Sequence, residues 1–534
     1  MTSTISILFA VSFLIGIVGL MALVWAISAD QFAYLHHGAK VIFDGELQVE
    51  DPTANEQDLQ ASLHGDIELS TDVSDRLQAD ASTQLPTLLF GSSAILWLLV
   101  GSVFGLIASI KLHVPDFLPH QSWLSFGIVR TLHLNAVAYG WLSMGGVAIS
   151  LWLLPRLLRV ELKGKTFATY GAFLWNLGLL FGLYSIANGR TDGMEWLEIP
   201  WYIDILFVLA GGCVGIPLIQ TFQHRKVEHL YVSAWYIIAA LIWFPFLFFI
   251  ANIPGLHFGV EQALVNWWYA HNALGLWFTP ISLAAAYYLI PKIIGRPIYS
   301  YQLSLLGFWS LGLFYSQVGV HHLIGGPVPT WVTTLSIVTS VSMVIPVLAV
   351  AINHHFTAYK HLQALKHSPV LRFIVTGAMM YTAASFQGSM ESLRSINTVT
   401  HFTHYTVAHA HLGAYGFASM ITFGTLYFAL PRVTCQEWPF PKLISWHYRL
   451  VLIGFLVYFI SLTIGGWLQG QAMLDASRAF SESVTLTKPY LLGRTFGGVL
   501  MTLGHFVFAF HSFVLIRRCM KAQSNRVSTE QENA

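Results

Sequence analysis

Thirteen stretches of this chain are apolar over a length that can cross about 30 Å of hydrocarbon, and this pattern limits the fold more than any other feature. They fall at about 5–28, 87–110, 123–155, 166–188, 202–222, 230–251, 262–291, 301–323, 329–351, 370–388, 404–430, 446–469 and 491–517. A segment in lipid must satisfy its own backbone, so each is read as a helix. Composition agrees. Of 534 residues, 55% are hydrophobic and 10% charged, less than half the charge fraction of an ordinary soluble chain. The formal charge of +1 gives no basis for nucleic-acid binding. Cys213, Cys435 and Cys519 lie far apart without CxxC or CxxCH, so no disulfide framework, zinc site or covalently attached haem is implied.

The expected fold is an all-α membrane protein with a twelve-helix core over residues 87–517 and one extra N-terminal transmembrane helix. Residues 1–28 lack a basic leader and an Ala-x-Ala cleavage signal and are read as a retained anchor. Residues 29–86 carry many acidic groups, Asp44, Glu46, Asp66, Asp75 and Asp80 among them, and are expected to be a mobile cytoplasmic linker. Residues 518–534 are expected to form a cytoplasmic tail. Counting the twelve later stretches as spans 1 to 12, basic residues collect after the even ones. Arg156, Arg159, Lys163 and Lys165 follow span 2; Arg225 and Lys226 follow span 4; Lys292 and Arg296 follow span 6. Positive charge marks the inner side, so the linker, the even loops and the C-terminus are expected in the cytoplasm.

Histidine is costly in a membrane helix, yet the chain has 23, and several fall within spans. His409-Ala410-His411 is the sharpest case, because helix positions two apart point roughly 200° apart. The two imidazoles leave opposite sides of one helix, so they suit two metals rather than one. With the orientation above, His133, His271, His321, His322, His409 and His411 all fall in the outer third of the bilayer. One such histidine is ordinarily a hydrogen-bonded core residue; chance would scatter six. His271, His321 and His322 suit a copper ion. His409 could hold a haem iron facing that copper. His411 and His133 could share a second haem with no open position.

Local motifs carry a resemblance. They include Arg130-Thr131-Leu132-His133, Trp267-Trp268-Tyr269-Ala270-His271-Asn272-Ala273, Arg296-Pro297-Ile298-Tyr299-Ser300-Tyr301-Gln302-Leu303-Ser304, His321-His322-Leu323, Tyr405-Thr406-Val407-Ala408-His409-Ala410-His411 and Pro489-Tyr490-Leu491-Leu492-Gly493-Arg494. Over roughly residues 87–517 the chain resembles the catalytic subunit of the cbb3-type cytochrome c oxidases, in the haem–copper oxidase superfamily. The resemblance implies a low-spin haem b on His133 and His411, a high-spin haem b on His409, and copper on His271, His321 and His322. It also implies a tyrosine from span 7 in place of one on span 6, where Gly275 stands. Tyr315 occupies that place, and seven residues from His322 it shares a helix face. By resemblance it is cross-linked to His271 and donates an electron and a proton as the O–O bond breaks.

Ser304, eleven residues before Tyr315 on the same face, with Tyr301 and Thr279, matches the family's proton-input route. Membrane Ser and Thr often bond their own helix instead. Arg130, Arg494 and His401 match positions near haem propionates, though an outer arginine can simply anchor a helix end. Three features depart from the family. Gln387 replaces a glutamate near the active haem's proximal ligand, His404 replaces an aspartate, and the N-terminal anchor resembles the small one-helix assembly protein of these oxidases.

The implied function is reduction of O₂ to water in a bacterial inner membrane, with proton uptake from the cytoplasm. Electrons would come from separate c-type cytochrome subunits or soluble cytochrome c. The alternatives are a nitric oxide reductase of the same superfamily and a non-catalytic haem carrier or sensor. Tyr315, and the lack of a Glu near His271 on its helix face, weigh against the first; the complete copper set weighs against the second.

Overall fold

The computed structural model describes residues 2–43 and 71–532. These form helices and loops, with one isolated β-bridge between Met194 and Leu197. The long helices, in chain order, are α1 (Thr2–Ser28), α2 (Thr71–Lys111), α3 (Phe126–Leu158), α4 (Lys165–Ala187), α5 (Trp201–Gln223), α6 (Val232–Asn252) and α7 (Val260–Ile294). They continue with α8 (Tyr301–Tyr315), α9 (Thr330–Tyr359), α10 (Pro369–Glu391), α11 (His404–Thr434), α12 (Lys442–Leu474) and α13 (Phe480–Glu532). Eleven helices among the described residues are long and apolar enough to cross a membrane. α1 contributes a shorter apolar piece, and α10 is long but more polar. Twelve core helices and one N-terminal helix thus match the expected fold.

The helices are not equivalent. In α3, α7 and α11 the most apolar stretch is 94%, 94% and 83% buried, against 39–56% in the other spans, so these three form the inner wall. All three are built alike. Each contains a π-helical segment, over Ala136–Ser143, Leu274–Phe278 and Leu412–Ser419, starting one to three residues after His133, His271 and His411. Such wide turns are rare and gather at functional sites. Two hydrogen bonds tie them together: the Trp141 indole donates to Ser419 Oγ (2.9 Å) and the Trp277 indole to Ser143 Oγ (3.1 Å). Toward its C-terminal end each helix carries a proline, Pro155, Pro291 or Pro431, and four residues later a residue with positive φ, Arg159, Gly295 or Cys435.

Two stretches differ from the expected linker. α2 begins at Thr71, so residues 71–86 are helical. The reason is a buried ion pair: Asp80 accepts from Arg156 Nη1 (3.0 Å) and from the Trp152 indole (3.0 Å). Residues 29–43, instead of trailing away, pack on one end of the core. Trp25 lies against Phe222 and Trp235. Gln31 bonds Glu228 O and Leu230 N at 2.9 Å each, and Lys292 Nζ donates to Ile42 O (2.9 Å). The remaining linker, residues 44–70, lies outside the described residues.

Candidate metal and haem centre

α8 stops at Tyr315, and a turn through Gly319, at φ 119°, leads into a separate 3₁₀ turn over Val320–Leu323. The shared-face argument for Tyr315 and His322 assumed one continuous helix, and the break removes it. The turn nevertheless carries His321 and His322 against His271. One ligand atom from each of the three lies within 4.8 Å of the others. His321 Nδ1 meets Ser340 Oγ at 3.1 Å and Ser336 Oγ at 3.3 Å, and Trp267 stacks on His322 with centroids 4.4 Å apart. These contacts fix ring orientation, as outer-shell partners of metal ligands do. Tyr315 stands beside this set, its ring 5.3 Å from that of His271 between centroids.

His133 and His411 face each other from α3 and α11. Their rings are within 8° of parallel, with centroids 6.4 Å apart. Nδ1 of His133 bonds Gly101 O and Nδ1 of His411 bonds Val407 O, each at 2.8 Å. Both Nε2 atoms are thereby left for a ligand between the rings; Tyr458 Oη, 3.1 Å from His411 Nε2, is the polar neighbour it would displace. His409 projects the other way, over Gly388, where a Cβ would come within 2.9 Å of its ring. Gly105 makes the same room for His133, at 2.6 Å.

All six histidines line one cavity of about 410 Å³, and so do Tyr315, Thr279, Arg130, His401, His404 and Arg494. Arg130 pairs with Glu195 at 2.6 Å, and the Arg494 guanidinium lies over the Tyr458 ring. Outside the cavity lining, in the loop after α4, Glu198 accepts from Asn135 (2.9 Å); burial pushes its carboxyl up to about 7 despite that bond. Burial also lowers His401, whose imidazole bonds the His322 backbone. Ser304 and Tyr301 lie outside the cavity lining. Ser304 donates to the Tyr301 carbonyl of its own helix (2.6 Å), and the Tyr301 hydroxyl donates to Leu230 O (2.9 Å).

Sequence reasoning passed over a buried polar cluster elsewhere in the bundle. Tyr287 stacks on Tyr236 (5.9 Å) and meets His354 edge-on (4.4 Å). Tyr236 Oη and both nitrogens of His354 have no hydrogen-bond partner among the described residues. Two tyrosines and a histidine on three apolar stretches give no sequence signal until the helices are placed together.

The donor set therefore fits the implied groups: three converging imidazoles for a copper ion, a parallel pair for a six-coordinate haem iron, and a single imidazole beside the copper site for an open one. The sequence pattern of the family described as cytochrome c and quinol oxidase polypeptide I matches residues 86–500. The chain belongs to that family. It is similar to the cbb3-type cytochrome c oxidase subunit CcoN1 of Stutzerimonas stutzeri, 30% identical over 450 residues, covering 81% of this chain and 95% of the relative. Cytochrome c oxidase subunit 1 of Rhodobacter capsulatus is 31% identical over 457 residues, covering 82% and 86%. A nitric oxide reductase subunit of Stutzerimonas stutzeri is more distant, at 25% identity over 457 residues, covering 78% and 94%. In fold, the chain matches a haem–copper terminal oxidase dimer solved by cryo-electron microscopy, with a TM-score of 0.63 and 15% identity over 83% of this chain and 84% of that one. The haem–copper oxidase expectation of the sequence motifs and the family match coincide.

Proposed function

We propose that this chain is the oxygen-reducing subunit of a terminal respiratory oxidase in a bacterial inner membrane, with its C-terminus in the cytoplasm. The observation that carries the reading is the single cavity: six imidazoles line it, three of them within 4.8 Å of one another, with Tyr315 alongside. His133 and His411 would hold a low-spin haem b, His409 a high-spin haem b, and His271, His321 and His322 a copper ion. When bound, these groups supply electron transfer and the binding and reduction of O₂.

The protein's own part is orientation and proton delivery. Ser336 and Ser340 hold His321, and Trp267 holds His322. The Tyr315 ring stands 5.3 Å from that of His271, where its phenol would serve as a hydrogen donor, and Thr279 adds a hydroxyl to the same cavity lining. Tyr301, Ser304 and the cluster of Tyr236, Tyr287 and His354 would supply hydroxyls and an imidazole to a proton path from the cytoplasmic side. Arg130, Arg494 and His401 offer donors to haem propionates. Without CxxCH in this sequence, electrons come from a separate c-type cytochrome.

Metal analysis of the purified complex with O₂ and NO uptake tests this. Copper with two haems per chain and rapid O₂ uptake is expected. Iron without copper, and turnover of NO in place of O₂, would overturn it in favour of a nitric oxide reductase.

A further inference from the structure

The three histidines assigned to haem differ in how their second ring nitrogen is held. Nδ1 of His133 and of His411 each meet a backbone carbonyl at 2.8 Å. Nδ1 of His409 meets none. It faces Oε1 of Glu391 at 3.8 Å, an ion-pair separation slightly longer than a hydrogen bond. Both atoms are buried, and neither has a hydrogen-bond partner among the described residues.

The place of Glu391 is an expensive one for a carboxylate. It is the last residue of α10, at the negative end of the helix dipole, and is only 6% exposed. Burial of a charge without a partner is unfavourable, so something must compensate. α10 is pressed directly on the His409 ring, since a Cβ at Gly388 would come within 2.9 Å of it. Asn397 Nδ2 donates to the Glu391 carbonyl (3.2 Å) and holds the helix end there. Gln387 stands one turn earlier, so the neutral residue noted in the sequence does not leave this side of His409 without a carboxylate.

We propose that Glu391 is the positioning residue for His409. Its carboxylate accepts the Nδ1 hydrogen, fixes the tautomer that leaves Nε2 for iron, and makes the imidazole a stronger donor. Metal-bound histidines depend on such a partner. A negative charge there favours the oxidised iron, so this haem's potential is held below what a backbone carbonyl would give. The inference rests on His409 being a haem ligand.

The test is a redox titration of the purified holo-complex, followed optically, with resonance Raman of the iron–histidine stretch. Two haems per wild-type chain check the ligand assignment separately. In E391Q the midpoint potential of the His409 haem should rise and its iron–histidine frequency fall, while the His133/His411 haem stays unchanged. Wild-type values for both haems, or equal shifts in both, would overturn the proposal. Should E391Q fail to assemble, E391D keeps the charge but withdraws it by one methylene. A smaller rise confined to the same haem supports the role, and wild-type behaviour sinks it.

Discussion

The phenol ring of Tyr315 stands in the space that a side chain at Gly275 would need, the two positions meeting across α8 and α7. The tyrosine and the glycine are therefore one arrangement: the ring can lie beside His271 only because α7 presents bare backbone there. Gly275→Ala should push the phenol away from the histidines. Overpacking at such a site costs about 1–3 kcal/mol, and displacement of a reacting group by an ångström can cost about a hundredfold in rate. Reduced O₂ uptake with both haems still bound, measured by oxygen electrode and pyridine haemochrome, is the expected result. Wild-type turnover would show that the ring position does not matter.

Tyr315→Phe separates the ring from its hydroxyl. Phenylalanine fills the same space beside Gly275, so packing and haem content should be preserved. Only the hydroxyl, with its exchangeable hydrogen, is lost. O₂ turnover should fall to background while the reduced-minus-oxidised spectrum of both haems remains. Full activity in this variant removes the phenol from the chemistry.

The sequence was most legible where a property is local to one helix. Spans follow from hydropathy, and counting along successive helices put the six histidines at one level, consistent with their lining one cavity. What escaped depends on partners far away in the chain. The π-helical turns after His133, His271 and His411 are locked by Trp141 with Ser419 and Trp277 with Ser143, contacts between helices more than 130 residues apart. Asp80 reads as one more solvated acid in a linker until Arg156, 76 residues on, is placed beside it. Gln31 looks like linker too, yet its amide is held by backbone 197 and 199 residues away. Gln387 drew attention as a missing charge, whereas Glu391, one turn on, became visible only when α10 lay against His409.

The Asp80–Arg156 pair should matter for stability rather than for catalysis. Both side chains are buried, at 8% and 1% exposure, and the same carboxylate accepts from the Trp152 indole. Removing one partner of a buried pair typically costs about 3–5 kcal/mol. Asp80→Ala should lower the thermal midpoint of the complex in detergent clearly, and leave the potentials of both haems unchanged. An unaltered midpoint would mean that residues 71–86 can leave the bundle at little cost.

Glu198 sets a pH dependence of opposite sense to that of most carboxylates. Burial raises its carboxyl from the ordinary 4.5 to about 7, although Asn135 donates to it. Between these values the folded chain holds a proton that the unfolded chain has released. Stability therefore falls as pH rises from 4.5 through 7, and the full penalty, about 3 kcal/mol, applies above that. Glu198→Gln keeps an acceptor for Asn135 and never ionises. Its thermal midpoint should exceed wild type at pH 8 and converge with it towards pH 4.5, as read by scanning fluorimetry across that range. A constant offset between the two proteins at every pH would show that the Glu198 carboxyl titrates in the folded protein as it does in the unfolded chain, and that its burial carries no pH-dependent penalty.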